Sequence, residues 1–162
     1  MTGTLLQLNV KPEVPGEFGL PKRPVPSLRV TPAGAEGDYN RWRTEKGNGD
    51  PDQAILLVTR ELLDTLAAEG WPVKPGDLGE NITLGGIAEA ALRPGVRLRS
   101  GAMLLEVTKA CDPCSELHSL PYIGKERGAE FVRVTMGRRG WYAKVLEGGN
   151  VTTGAAVRVE QG

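Results

Sequence analysis

The sequence predicts a mainly β fold, a closed or nearly closed β-barrel with one or two short helices. Its 162 residues include 22 glycines and 12 prolines, the residue types that most often mark turns. Between these turns lie about eight short segments that are apolar or alternate between apolar and polar residues. Many short strands joined by close turns are typical of barrels, and the length suits one domain over residues 1–162.

These segments are interpreted as strands because each is short and bounded by turn residues. In chain order they are residues 4–10, 25–30, 54–58, the end of 75–83, 96–99, 102–108, 141–146 and 156–160. Ser100-Gly101 predicts a tight hairpin, and residues 147–150 predict a turn before the last strand. The polar segment 31–53 predicts a long surface loop, a kind of segment that often carries function.

One segment clearly predicts a helix. Residues 60–69 place leucines on one face, Thr59 can cap the first turn, and Gly70 ends the helix. Further along, residues 121–128 are predicted to be loop. Residues 129–136 fit either a strand or a helix, because their β-branched residues favour a strand while their apolar spacing fits both.

The overall charge restricts the classes of partner. Twenty basic and twenty acidic side chains cancel, whereas general nucleic-acid binders and membrane-surface binders need an excess of positive charge. No apolar run reaches the roughly 18 residues of a membrane helix, and the first residues lack the form of a signal peptide. We therefore expect a cytoplasmic protein that acts on a small-molecule substrate and keeps its cysteines reduced.

The chemistry is predicted to lie in one segment near the end of a strand. Cys111, Cys114 and His118 are the two cysteines and the only histidine of the chain. Cysteine is the strongest nucleophile and the softest metal ligand among the side chains. Because Pro113 cannot continue a strand, Cys114 is expected at a turn or at the start of a short helix over residues 115–118, where a thiolate is favoured.

Each of these residues also has a simpler interpretation. Cys114 is either a thiolate that ligates metal or carries a persulfide, or a small buried hydrophobic residue. Cys111 is either a resolving thiol or an incidental cysteine, and the set is short of the four ligands of a structural zinc site. His118 lies one helical turn after Cys114, close enough to influence its thiol, or is simply a surface histidine.

Three stretches, taken in order, resemble the MOSC domain, a module found at the C-terminus of molybdenum cofactor sulfurases and as small stand-alone bacterial proteins. They are Gly76-Asp-Leu-Gly-Glu-Asn-Ile-Thr83, Pro113-Cys-Ser-Glu-Leu117, and Arg138-Arg-Gly-Trp-Tyr-Ala-Lys-Val-Leu-Glu-Gly-Gly149 with the Val-Arg-Val159 that follows. With the upstream pair Gly37-Asp38, the resemblance covers nearly the whole chain.

The resemblance implies a β-barrel that binds a pterin-type molybdenum cofactor (molybdopterin) or has a related sulfur-carrier role. It places the metal-ligating or sulfur-carrying cysteine at Cys114 and sets Asn81 beside the cofactor. Asp77 and Glu80, in the same stretch, are interpreted as a turn residue and a solvated residue. The candidates for holding the phosphate are basic residues, with Lys109 and Arg138 favoured by their position in or beside the motifs: Lys22, Arg23, Arg29, Lys109, Arg138 and Arg139.

The resemblance further implies reductive chemistry, the removal of oxygen from an N-hydroxylated base or a similar compound, with a redox protein as partner. Two alternatives stay open. One is a metal-free sulfur carrier that takes a persulfide on Cys114 from a sulfur-donor protein. The other is a non-catalytic barrel that binds a ligand or another subunit.

The chain departs from the family pattern at three positions. Members often have an arginine three residues before the cysteine, where this chain has Cys111. A Gly-Asp pair usual near the C-terminus is replaced by Gly154-Ala155, and Asn40 stands where a histidine is common. The missing arginine removes one candidate phosphate contact, which makes cofactor binding a weaker expectation than the barrel.

Overall fold

The structure is a computed structural model that describes residues 1–39, 49–113 and 115–161, without the side chain of Ser115. Its strands are β1 Thr2–Val10, β2 Arg23–Val25, β3 Ser27–Thr31, β4 Gly34–Ala35, β5 Ile55–Thr59, β6 Ile82–Gly85, β7 Arg97–Ser100, β8 Met103–Ala110, β9 Trp141–Glu147, β10 Gly149–Thr152 and β11 Ala156–Glu160. Its helices are α1 Arg60–Ala68 and α2 Gly124–Val134, with 3-10 turns at Pro51–Gln53, Glu89–Ala91 and Ser115–Ser119. Among the described residues, no helix is long and apolar enough to cross a membrane.

Seven strands close into a barrel in the order β11-β7-β8-β9-β5-β6-β1, and an antiparallel pairing of β1 with β11 completes the ring. The β5–β6 pair is parallel, and the other neighbouring pairs are antiparallel. Strand β2 extends the sheet beyond β1, while β10, β3 and β4 form a separate three-stranded sheet. The predicted mainly β barrel is therefore confirmed.

Two apolar cores hold this architecture. The barrel interior is filled by inward-facing aliphatic side chains, of which Leu5, Leu57 and Leu105 are fully buried. A second core lies between the helices and the 3-10 turn Ser115–Ser119, around Phe131. Burying each large apolar side chain stabilises the fold by roughly 1.5–3 kcal/mol, so the second core fastens the segment after the cysteines to the barrel.

The predicted helix over residues 60–69 is confirmed. It begins after Thr59, whose side chain accepts a hydrogen bond from the Leu62 amide, and Gly70 follows its last turn with a φ of 96°. The strand predicted for residues 25–30 is divided by Pro26 into β2 and β3, which belong to different sheets. Proline has no amide hydrogen for a strand ladder, which suits this point of division.

Two local predictions were wrong. Residues 121–128 are not all loop, because α2 begins at Gly124 and also takes the ambiguous residues up to Val134. Phe131 decides this, since a helix lets its ring pack 4.8 Å from the ring of Trp71. The turn expected at residues 147–150 is absent, because the chain continues directly from β9 into β10 and pairs with β3.

Candidate functional site

A group of polar side chains, almost entirely shielded from solvent, lies around the residues that precede β2, β6 and β9. Five of them form what we call the polar cluster, each close to the beginning of a strand or in the loop after β4: Lys22, Asp38, Glu80, Asn81 and Arg139. Cys111, which directly follows β8, contacts this cluster through Arg139. Polar groups this well buried require partners or a bound ligand.

The centre of the polar cluster is the Asp38 carboxylate. Its Oδ2 forms an ion pair with Lys22 Nζ and accepts a hydrogen bond from Asn81 Nδ2 at 2.8 Å. Its Oδ1 accepts from the Lys11 amide at 2.9 Å. Asn81 is fixed in turn, because its Oδ1 accepts from the Leu56 amide at 3.1 Å. The amide predicted to contact a pterin is thus used to hold Asp38, and its contact with a cofactor stays a prediction.

Lys22 is held by the turn that precedes Asn81 in the chain. Its backbone amide donates to the Gly76 carbonyl at 2.9 Å, and a Cβ on Gly76 would lie 2.4 Å from the Lys22 carbonyl oxygen. Burial lowers the pKa of the Lys22 ammonium, and the charge of Asp38 opposes that effect. Gly76, in the first of the three motifs, therefore lets the backbone approach Lys22 closely and helps to position this buried cation.

Glu80 and Arg139 are the least satisfied members of the polar cluster. Glu80 is 0% exposed and its Oε2 accepts from the Thr83 hydroxyl at 3.0 Å, while Oε1 has no hydrogen-bond partner among the described residues. Burial raises the pKa of Glu80 to about 7. Arg139 is 5% exposed and donates from Nη1 to the Cys111 sulfur at 3.3 Å, while its Nε has no partner in the described chain.

The segment that carries the cysteines is joined to the start of β9. The Cys111 amide donates to the Gly140 carbonyl at 2.9 Å, and its sulfur lies 3.6 Å from the Asp112 carbonyl. His118 lies in the 3-10 turn Ser115–Ser119 and packs against Gly128 of α2. Cys114, the predicted metal ligand, lies outside the described residues, as does Asn40.

The two favoured basic residues have acidic partners away from the polar cluster. Arg138 donates two hydrogen bonds to the Glu69 carboxylate, at 2.7 and 2.8 Å, and Lys109 Nζ lies 3.7 Å from Asp50 Oδ2. Of the predicted set, the structure thus brings Lys22 and Asn81 together and pairs Lys109 and Arg138 elsewhere. No group of three His, Cys, Asp or Glu suited to a metal ion occurs among the described residues.

Two members of the polar cluster escaped the sequence analysis. Glu80 was interpreted as solvated and is fully buried instead. Arg139 was one of six phosphate candidates but not one of the two favoured, Lys109 and Arg138, although adjacent residues of the same type carry the same sequence signal. Only its direction, towards Cys111 rather than Glu69, distinguishes the two.

Comparison with known proteins gives a family and a fold. The MOSC domain matches residues 44–158. The YuaD protein from Bacillus subtilis is 22% identical with a TM-score of 0.81, and the match covers 100% of this chain and 97% of that one. YiiM from Geobacillus stearothermophilus is 24% identical, with a TM-score of 0.74 and coverage of 98% and 75%. YiiM from Escherichia coli is 23% identical, with a TM-score of 0.69 and coverage of 99% and 70%. No curated protein matches the sequence significantly.

Proposed function

The chain belongs to the MOSC domain family, and we propose that it binds a pterin-type molybdenum cofactor through Cys114 and reduces N-hydroxylated or related compounds. Family membership supports the cofactor class. The N-hydroxylated substrate is what the resemblance implies for small stand-alone members. The observation that carries the proposal is the charge balance of the polar cluster.

The polar cluster fits an anionic ligand. It holds two buried cations, Lys22 and Arg139, and the Asp38 carboxylate balances the first of them. Burial raises the pKa of Glu80 to about 7, so its carboxyl carries less negative charge near neutral pH than an exposed glutamate would. The second cation is then incompletely balanced, and an unbalanced buried charge is costly. A ligand that carries phosphate and thiolate groups would supply the missing negative charge.

Each residue of the cluster has a definite task in this proposal. Lys22 attracts the anionic part of the cofactor, and Asp38 holds the Lys22 ammonium in place. Asn81 contributes by orienting Asp38, besides its predicted contact with the pterin edge. Lys109 and Arg138 stay predicted phosphate contacts, and each would have to exchange its present carboxylate partner for the phosphate.

The bound cofactor would supply the redox chemistry, and the protein would supply orientation and charge. In the overall reaction an N–O bond breaks, two electrons come from an external donor, two protons are taken up, and water leaves. Glu80 can hold a proton near neutral pH, and its Oε1 has no partner in the described chain. The surrounding residues exclude water, since Glu80 and Thr83 are 0% exposed.

The test is the metal and pterin content of protein purified gently from a host that makes the cofactor. We expect molybdenum near one per chain, with the fluorescence of an oxidised pterin, and we expect both to be lost in Cys114→Ser because the metal loses its sulfur ligand. Cys111→Ser is the matched control. It should keep both molybdenum and pterin, since the proposal assigns the metal to Cys114 and the described side-chain contact of Cys111 is with Arg139.

Absence of molybdenum and pterin from both the unmodified protein and the control would contradict the proposal. The mass of Cys114 should then be measured. An added sulfur atom on Cys114 would indicate that the protein is a sulfur carrier. An unmodified thiol would leave the non-catalytic, ligand-binding barrel as the remaining alternative.

A further inference from the structure

We infer that the loop between β1 and β2 forms a binding site for a small methylated organic cation, of the trimethylammonium class. The site is a cavity lined by residues 13–18 of this loop and by Tyr39. The inference goes beyond the proposed function, since the described lining of the cavity includes no member of the polar cluster.

The first argument is that both ends of the loop are fixed by one carboxylate. At the first end, the Lys11 amide donates to Asp38 Oδ1 at 2.9 Å, and the Tyr39 amide donates to the Lys11 carbonyl at 2.8 Å. At the other end, Lys22 Nζ forms an ion pair with Asp38 Oδ2. A ligand therefore meets a cavity whose walls are already in place, and such preorganisation favours binding.

The second argument is the size and the apolar lining of the cavity. Its volume is about 280 Å³, close to the roughly 300 Å³ at which ligand pockets begin, so it suits one small molecule. Phe18 and Tyr39 supply aromatic side chains, and Val14 and Pro15 supply aliphatic surface. Phe18 is 48% exposed and Val14 is 40% exposed. Methyl groups of a ligand would cover this apolar surface, and its burial would stabilise the complex.

The third argument is the negative charge of the lining. The cavity is lined by two carboxylates, Glu13 and Glu17, and by no basic side chain of the described residues. Lys11 balances Glu17, because its ammonium forms an ion pair with that carboxylate and holds its pKa below the ordinary value. Glu13 has no ion-pair partner in the described part of the chain. One negative charge is thus left over, which attracts a monovalent cation and repels a phosphate.

The chemistry of the lining selects an organic cation over a metal ion. A metal ion such as calcium needs six or more oxygen ligands, and no group of three His, Cys, Asp or Glu suited to a metal occurs among the described residues. A trimethylammonium group needs no hydrogen-bond acceptor. Its charge is attracted to aromatic faces and to a nearby carboxylate, while its methyl groups pack against apolar walls.

Choline is the probe, and the control ligand is its uncharged carbon analogue, in which a tert-butyl group replaces the trimethylammonium group. The first measurement titrates the full chain with each compound at constant ionic strength and follows the backbone amide resonances. We expect choline to shift the resonances of residues 13–18 and to bind at least about tenfold more tightly than the analogue. Nuclear Overhauser effects from the choline methyl groups to the Phe18 ring should place the ligand in the cavity.

The second measurement compares choline affinity in matched variants. Glu13→Gln should bind choline about fivefold more weakly, because the shape is kept and the charge is lost. Phe18→Leu should weaken binding by about two- to fivefold, since it keeps an apolar side chain and removes the aromatic face. Glu130→Gln removes one exposed carboxylate of α2, outside the cavity, and should bind choline as the unmodified protein does.

Equal affinity for choline and its uncharged analogue would overturn the inference, and so would equal choline affinity in Glu13→Gln and Glu130→Gln. Resonance shifts that leave residues 13–18 unchanged would also overturn it. None of these results depends on molybdenum. Choline binding in this cavity by a protein that carries no molybdenum would leave the inference standing and count against the proposed function.

Discussion

At the residue scale, Glu80 couples the stability of the fold to pH. Its native pKa is about 7 against an ordinary value of 4.5, because burial disfavours the charged form. Between these two values the native state holds a proton that the unfolded chain has released. The free energy of unfolding therefore falls as the pH rises through this window, by up to about 3 kcal/mol from this residue.

Glu80→Gln should flatten this dependence, because the amide does not titrate. We expect the variant to equal the unmodified protein in stability near pH 4.5 and to exceed it above pH 7. Urea unfolding at a series of pH values measures the difference. Glu69→Gln is the control: Arg138 lowers the pKa of exposed Glu69, so its contribution is lost only below its ordinary value of 4.5. An equal pH dependence in the two variants would refute the assignment to Glu80.

The neighbouring arginines mark the limit of sequence reasoning at this scale. Arg138 and Arg139 have the same chemistry and adjacent positions. One points to the carboxylate of Glu69, which directly follows α1, and the other to a buried sulfur. That difference comes from the path of the chain into β9, which is set by long-range pairing with β8 and β5. A motif can name such residues, but only tertiary structure divides their roles.

At the element scale, α2 fastens the segment that follows the cysteines. Residues 129–136 were difficult to predict because β-branched residues favour a strand locally, whereas burial of Phe131 against Trp71 favours a helix. Propensity is a weak preference that tertiary packing overrides. The helix over residues 60–69 was predictable, because its cap, apolar face and terminal glycine all agree.

Gly128 explains how α2 lies against the cysteine segment. A Cβ there would be 2.3 Å from His118 Cδ2, so the imidazole occupies the space that a side chain would fill. Gly128→Ala should destabilise the protein by about 1–3 kcal/mol through overcrowding. This is opposite in sign to the usual gain of up to about 1 kcal/mol from replacing a helical glycine. Thermal or urea unfolding measures the change.

The matched control is the same substitution in a His118→Ala background. With the ring removed, Gly128→Ala should become neutral or stabilising, since only the helix preference remains. If Gly128→Ala costs the same with and without the imidazole, the contact does not explain the glycine.

At the scale of the whole molecule, the barrel could be predicted and the site only in part. Turn density and short alternating segments indicated closure, because closing the sheet removes the exposed edges that many short strands would otherwise present. The cysteine segment was located by residue type. The polar cluster was not, because Asp38, Glu80 and Arg139 lie in three separate segments of the chain and meet only once the barrel has formed.

Closure itself depends on the seam between β1 and β11, where Thr2 pairs with Arg158 and Gly3 with Val157. Consecutive residues of β11 face opposite sides of the sheet: Val157 is 1% exposed in the barrel interior, and the Arg158 side chain is 62% exposed. Replacing Val157 and Arg158 in turn by asparagine distinguishes the loss of core packing from a general disturbance of the strand. Val157→Asn should cost about 3 kcal/mol, because it removes apolar burial and leaves an amide unsatisfied.

Arg158→Asn should change the free energy of unfolding by less than about 1 kcal/mol, since it removes only a surface ion pair with Glu160. Urea unfolding gives both values, and amide exchange on β1 and β7 tests the mechanism. If the seam closes the barrel, Val157→Asn should accelerate exchange on both of these neighbouring strands. Equal costs for the two variants, or faster exchange on β11 alone, would mean that the ring is held together without this seam.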